Sequence, residues 1–530
     1  MYTYFSLQRT SKLLALLLGL CSTIPLMAAP PLRTSQIRTS KGVLEGVISK
    51  DGKVRTFKGI PYAAPPVGPL RWKPPQPAPA WTGVREAFEY GARCMQGRIY
   101  SDMIFQDNGP SEDCLTLNLW MPAHPQKTPL PVMVWIYGGG FRAGSTSEPR
   151  QDGGNLSKRD VIVVSMNYRL GIFGFFAHPD LAKESDHNAA GNYGLMDQLA
   201  ALRWVHENIT LFGGDPQNVT IFGESAGSFS VSALMASPLA QGLFQRAMGE
   251  SGAFFSKTLP QKSLPDTEAK GIAFARAAFG TESLEALRAK PASELLAAQL
   301  SHRETRFGPN IDGYYLPESV PAIFAAGKQS QVPLLAGWNA DEQSPPYLLK
   351  DQPATAQNFT AWVRQHYGKQ ADAILKLYPP RDDAQAKISA RDLASDRFLG
   401  FATWKWLEMQ LKTGGGQPVY RYHFEQAPPA LPNEPAGGGA YHSADIEYVF
   451  NVLGHHSRTW TAEDRALSDQ MAAYWSNFAK TGDPNGEALP HWPRYDSRDH
   501  YQVMHLKGAA SYSAPDELRD RYLLLNRMTK

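Results

Sequence analysis

The stretch that most constrains this chain is Gly223-Glu224-Ser225-Ala226-Gly227. Before it, Asn218-Val219-Thr220-Ile221-Phe222 alternates polar and apolar residues with β-branched enrichment, the pattern of a strand. After it, residues 228–236 read as a short helix stopped at Ser237-Pro238. Gly-x-Ser-x-Gly between a strand and a helix is a nucleophile elbow, in which flanking glycines let the backbone turn sharply and hold the Ser225 hydroxyl clear of the sheet. The competing reading is a Gly/Ser turn with no chemistry, and the strand-then-helix context weighs against it.

The surrounding pattern is α/β. Residues 42–48 and 53–58 flank Asp51-Gly52, a hairpin signal. Residues 131–137 and 161–166 are near-continuous apolar runs, as expected of strands covered on both faces of a parallel sheet. A helix over 197–209 aligns Leu199, Leu202, Val205 and Ile209 on one face, with Gly213-Gly214 after it. Residues 332–337 and 419–424 supply later strands. Residues 266–279, 283–290, 292–300 and 357–377 read as helices around the sheet or over its end. Strands alternating with helices predict a mostly parallel sheet with its site at the carboxyl ends of the strands. No linker or repeat divides the chain: the Pro-rich residues 61–79 are interleaved with Tyr62, Leu70 and Trp72, so residues 30–530 are expected to form one α/β domain.

The first 29 residues differ from the rest. Arg9 and Lys12 precede an apolar run at 13–20, and Ala28-Ala29 follow, the layout of a secretory signal peptide. The run is shorter than the ~20 apolar residues of a spanning helix, so no stable membrane insertion is expected. The protein is expected to be exported, periplasmic or secreted. Its removal takes away two positive charges and no negative one, so the formal +3 falls to +1. With no basic stripe left, nucleic acid is excluded as a partner. Cys94 and Cys114 then remain as an even pair, which in an exported chain points to one disulfide.

A serine hydroxyl needs a base to take its proton, an acid to orient that base, and backbone donors for the oxyanion. On a sheet of this kind the order is serine, acid, histidine. Asp341-Glu342 follows the strand at 332–337, and order alone does not separate the two carboxylates. His442 follows the strand at 419–424 and a Gly-rich loop, in competition with His423, His455 and His456. His455-His456 lacks the spacing of a metal site and reads as surface loop. Gly138-Gly139-Gly140-Phe141, after the run 131–137, suits an oxyanion loop together with the amide of Ala226. It lacks the signatures of a phosphate cradle.

At these residues the chain resembles the type-B carboxylesterase family, which includes cholinesterases and bacterial para-nitrobenzyl esterases. The similarity runs through Gly191-Asn192-Tyr193-Gly194-Leu195-Met196-Asp197-Gln198, Phe212-Gly213-Gly214-Asp215-Pro216 and the elbow itself. Glu112-Asp113-Cys114-Leu115-Thr116-Leu117-Asn118, Asn167-Tyr168-Arg169-Leu170-Gly171 and Asp312-Gly313 extend it, and it spans about residues 40–500. The resemblance implies an α/β-hydrolase fold with helical insertions over an active-site gorge. It implies Ser225 as nucleophile, Glu342 as acid, His442 as base, and Gly139, Gly140 and Ala226 as the oxyanion hole. It also implies a Cys94–Cys114 bond and hydrolysis of small-molecule carboxylic esters through an acyl-enzyme, with no cofactor or metal. Gln343 stands where the family usually has glycine.

The substrate is less constrained. The Cys94–Cys114 loop contains no tryptophan, whereas cholinesterases carry there the aromatic face for a quaternary ammonium, so choline esters are disfavoured. Phe141, Phe229, Trp338, Phe398 and Tyr441 are candidates for an apolar gorge, and Glu224 for a negative field beside the nucleophile. A lipase acting at lipid surfaces and a non-catalytic adhesion protein on the same scaffold are the alternatives.

Overall fold

The computed structural model describes residues 32–256, 260–431, 438–454 and 457–528. The expected signal segment and His455-His456 lie outside them. The architecture follows from the two apolar runs. Strand β5 (Leu130–Ile136) and β6 (Ile162–Met166) are buried almost throughout and pair in parallel, Val134 against Val164. Residues buried on both faces need helices on both sides, and those helices require crossovers, which make the sheet parallel.

The sheet has 12 strands among the described residues. The first four are β1 (Leu32–Arg33), β2 (Val47–Ile48), β3 (Val54–Pro61) and β4 (Thr116–Pro122). The later ones are β7 (Gly214–Glu224), β8 (Arg246–Glu250), β9 (Leu334–Asn339), β10 (Val419–Phe424), β11 (Gln502–Leu506) and β12 (Tyr512–Pro515). Their order is β1-β2-β3-β4-β6-β5-β7-β8-β9-β10-β11-β12. From β6 to β11 all pairs are parallel, while the amino-terminal strands and β12 are antiparallel. The Asp51-Gly52 hairpin joins β2 to β3, with Gly52 at φ 71°.

Helix α1 (Tyr193–Asn208) begins four residues before the expected start at Asp197 and buries most of its length. A 3-10 turn continues it to Gly213, left-handed at φ 80°. Helix α2 (Ala226–Ala236) starts directly at the elbow and is buried along its entire length. Helix α3 (Leu264–Phe279) is capped by Ser263. The single helix expected over 357–377 is two, α4 (Ala356–Tyr367) and α5 (Ala371–Leu377). They break at Gly368, whose φ of 51° a glycine adopts without strain.

Cys94 and Cys114 are bonded, closing a loop with a sequence separation of 20. Further braces hold this loop: Arg93 pairs with Asp107, and the Ser147 hydroxyl donates to Asp107 at 2.5 Å. Loop closure of this length contributes roughly 3 kcal/mol through the unfolded chain. Replacing both cysteines by serine is expected to lower the thermal unfolding midpoint by several degrees. A reductant should lower the parent's midpoint comparably and leave the variant's unchanged.

Candidate active site

Ser225 sits between the end of β7 and the start of α2 with φ 53° and ψ −120°. A non-glycine residue pays strain for that conformation. The neighbouring glycines serve a different purpose from the one their sequence pattern implies: Gly223 and Gly227 do not have positive φ. They are needed for proximity. A Cβ on Gly227 would lie 1.9 Å from the Ile136 carbonyl oxygen, and one on Gly223 2.6 Å from the same atom. The elbow is pressed against the end of β5, and the Ser225 amide donates to the Glu250 carbonyl at 2.8 Å.

The Ser225 hydroxyl lies 3.0 Å from His442 Nε2, and His442 Nδ1 lies 2.7 Å from Glu342 Oε2. Of the histidines weighed from sequence, His423 is directed elsewhere, to Glu425 at 3.0 Å. Of the adjacent carboxylates, Glu342 faces the imidazole. Asp341 instead staples two loops together: its carboxylate accepts the Ala440 amide at 2.7 Å, and its own amide donates to the Ala440 carbonyl at 3.0 Å. Gln343, in the family's glycine position, donates its amide to Ser395 Oγ at 3.1 Å and lines the cavity.

Several supporting groups carried no sequence signal. The Ser251 hydroxyl donates to Glu342 Oε1 at 2.5 Å, and the Asn339 amide donates to the same atom at 2.8 Å. Asn339 Nδ2 donates to the Tyr441 carbonyl at 2.8 Å and to Asp445 Oδ1 at 3.1 Å. Asp445 also accepts the Tyr422 hydroxyl at 3.0 Å. These groups stand 26 to 220 residues from Ser225 in sequence and meet it only through the β8-β9-β10 pairing. Ser251 follows β8 directly, at φ 59°.

Buried carboxylates surround the imidazole. Glu224 Oε1 lies 3.3 Å from His442 Nε2. Burial pushes Glu224 up to about 8 against the pull of His442. Burial alone would lower His442, but Glu224 and Glu342 outweigh it and raise the imidazole to about 9. Asp445 rises to about 6 through burial and the Glu342 charge, and burial with Asp445 also raises Glu250, against the Trp475 indole N–H at 2.7 Å. The cluster therefore stabilises an imidazolium at Ser225.

Gly139 and Gly140, immediately after β5, have φ of 103° and 63°. Among the described residues no hydrogen bond occupies their amides or that of Ala226. They border, with Ser225 and His442, a cavity of about 1530 Å³. Phe141, Phe229, Tyr441 and Glu224 line it, as does Phe398, whose ring meets His442 edge-on at 5.6 Å. Phe398 lies in a π-helical turn, Asp396–Gly400, a local widening that recurs at functional sites. Residues 100–104 of the disulfide loop form another wall. Trp338 does not belong to the cavity. It is 2 % exposed, packed on the opposite face of β9 against Arg421 and Tyr522, because alternation along the strand sends it away from Asn339 and the site.

The profile of the Carboxylesterase family matches residues 33–522. The chain is 38% identical over 486 residues to a fumonisin B1 esterase of Sphingopyxis macrogoltabida, covering 87% of this chain and 84% of that one. It is 35% identical to the human cocaine esterase, covering 91% of this chain and 89% of the other. A solved PNB esterase structure superposes with a TM-score of 0.78 at 34% identity, covering 92% of this chain and 99% of its own. The sheet, the elbow at the end of β7 and these relatives together make the fold an α/β-hydrolase and the protein a carboxylic ester hydrolase: the chain belongs to the carboxylesterase family.

Proposed function

We propose that Ser225, His442 and Glu342 act as nucleophile, base and orienting acid in ester cleavage through an acyl-enzyme. The observation that carries this reading is the unbroken line from the Ser225 hydroxyl through both nitrogens of His442 to Glu342, at the wall of the 1530 Å³ cavity. His442 Nε2 takes the Ser225 proton as Oγ attacks the ester carbonyl. The amides of Gly139, Gly140 and Ala226 receive the tetrahedral oxyanion, a contribution of about 3 kcal/mol per donor. The imidazolium, held by Glu342 and Glu224, protonates the leaving alcohol. It then accepts a proton from water as the acyl group is released. Ser251 and the Asn339 amide hold Glu342 Oε1, which leaves Oε2 for the imidazole.

The cavity exceeds the roughly 300–1,000 Å³ of ordinary small-molecule pockets, and its aromatic walls suit bulky apolar acyl or alcohol groups. The names of the relatives, fumonisin B1 esterase and cocaine esterase, point to esters of the same bulk. No helix among the described residues is long and apolar enough to cross a membrane. The basic-then-apolar pattern of residues 1–29 and the disulfide support export of the chain.

Ser225→Ala is expected to abolish turnover of p-nitrophenyl esters while circular dichroism and the melting midpoint stay those of the parent; turnover at the parental rate would refute the assignment. The pH dependence has a defined sign. The base must be neutral, and carboxylates raise its pKa, so kcat/KM rises with pH as His442 loses its proton. Glu224→Gln removes one of those carboxylates at nearly constant volume, and the acidic limb should move to lower pH by about one unit. An unmoved limb in the pH profile would show that Glu224 does not act on His442.

A further inference from the structure

His423, set aside as a catalytic base, belongs to a second cluster at the carboxyl ends of the last two parallel strands. His423 on β10 and His505 on β11 are direct register partners. Both turn Nδ1 to the same carboxylate oxygen, Glu425 Oε1, at 3.0 Å and 2.6 Å. All three donor atoms lie within 4.8 Å of one another. From these residues we propose a divalent metal site, with His423 Nδ1, His505 Nδ1 and Glu425 as protein ligands and solvent in the remaining position.

The donor set selects the metal class. Two imidazoles and one carboxylate suit Zn²⁺ and its borderline neighbours Co²⁺, Ni²⁺ and Cu²⁺, and disfavour Ca²⁺ and Mg²⁺, which take oxygen ligands. Tetrahedral ligands at Zn–N and Zn–O distances near 2.0–2.1 Å stand about 3.3 Å apart. The two nitrogen–oxygen separations are already within about 1 Å of that, so side-chain rotation suffices. The scaffold is stiff. The Glu425 amide donates to the Leu506 carbonyl at 2.9 Å, prolonging the β10-β11 pairing past the strand end. Tyr512 stacks on the His505 ring at 4.8 Å with 6° between planes, and Trp338 meets His423 edge-on at 6.2 Å. Side-chain exposures of 14%, 21% and 15% for His423, Glu425 and His505 leave a route for an ion and a water ligand. A purely hydrogen-bonded cluster is the alternative, with Glu425 accepting from two neutral imidazoles. It differs from the metal site in that it discriminates no cation.

The test is equilibrium dialysis of the full chain against Zn²⁺, with Ca²⁺ and Mg²⁺ as controls, followed by Co²⁺ substitution and visible spectroscopy. One Zn²⁺ per chain is expected, selected over the controls, together with a tetrahedral Co²⁺ spectrum. His505→Gln and Glu425→Gln should each weaken binding by at least about tenfold. Ester turnover serves as the check that both variants fold, since neither residue touches Ser225 or His442. The first equivalent of Zn²⁺ should leave that turnover unchanged in the parent, which separates this site from binding at His442. Absence of Zn²⁺ from the dialysed parent, or equal Zn²⁺ affinity in two folded variants, would overturn the proposal.

Discussion

The close approach of the elbow to the end of β5 is the constraint on which the site depends. Gly227 stands where any side chain would collide with the Ile136 carbonyl, and Gly138 where one would collide with Glu224 and Ser225. Because both are glycine, α2 begins against the turn that follows β5, and residues of two separate segments line one cavity. The strain resides in Ser225, at φ 53°, and is held by the fully buried helix after it and by the Glu250 carbonyl before it. Strand pairing then brings in the proposed acid and base. Glu342 follows β9 and His442 follows β10, so Ser225, Glu342 and His442 are supplied in the strand order β7, β9, β10, with Ser251 following β8 between them.

Electrostatics around His442 are unusual in their asymmetry. Glu224, Glu342 and Asp445 are all buried and raise one imidazole, while the buried guanidinium of Arg150 is engaged by Glu148 at 2.6 Å. Burial pushes Glu224, Glu250 and Asp445 toward their neutral forms, and a proton on His442 favours the charged forms of Glu224 and Asp445. In the proposed mechanism, a site arranged in this way has already met much of the cost of forming an imidazolium when the serine gives up its proton.

Much of this was legible in the sequence because the signals were local. The elbow, the glycine-rich turn after β5 and the apolar parallel strands each declare themselves within a dozen residues. The break at Gly368 was also local, but a continuous helical pattern on both sides obscured it. Other features depend on contacts between residues about a hundred positions apart. Asp341 and Glu342 are neighbours of identical charge, and only the position of the 439–445 loop decides which one meets His442. Trp338 has the composition of a pocket residue, and only the face of β9 on which it falls places it in the core. Ser251, Asn339 and Asp445 are ordinary polar residues until the sheet assembles them.

The disulfide loop has a consequence for how such a protein can diversify. It contributes residues 100–104 to the cavity, yet it is anchored at its base by Cys94–Cys114 and by Asp107, outside the sheet that positions Ser225, Glu342 and His442. Changes of sequence at its tip therefore reshape what enters the gorge without passing through the strands that align Ser225, His442 and Glu342. In the proposed function, selectivity and chemistry thus rest on separate mechanical supports.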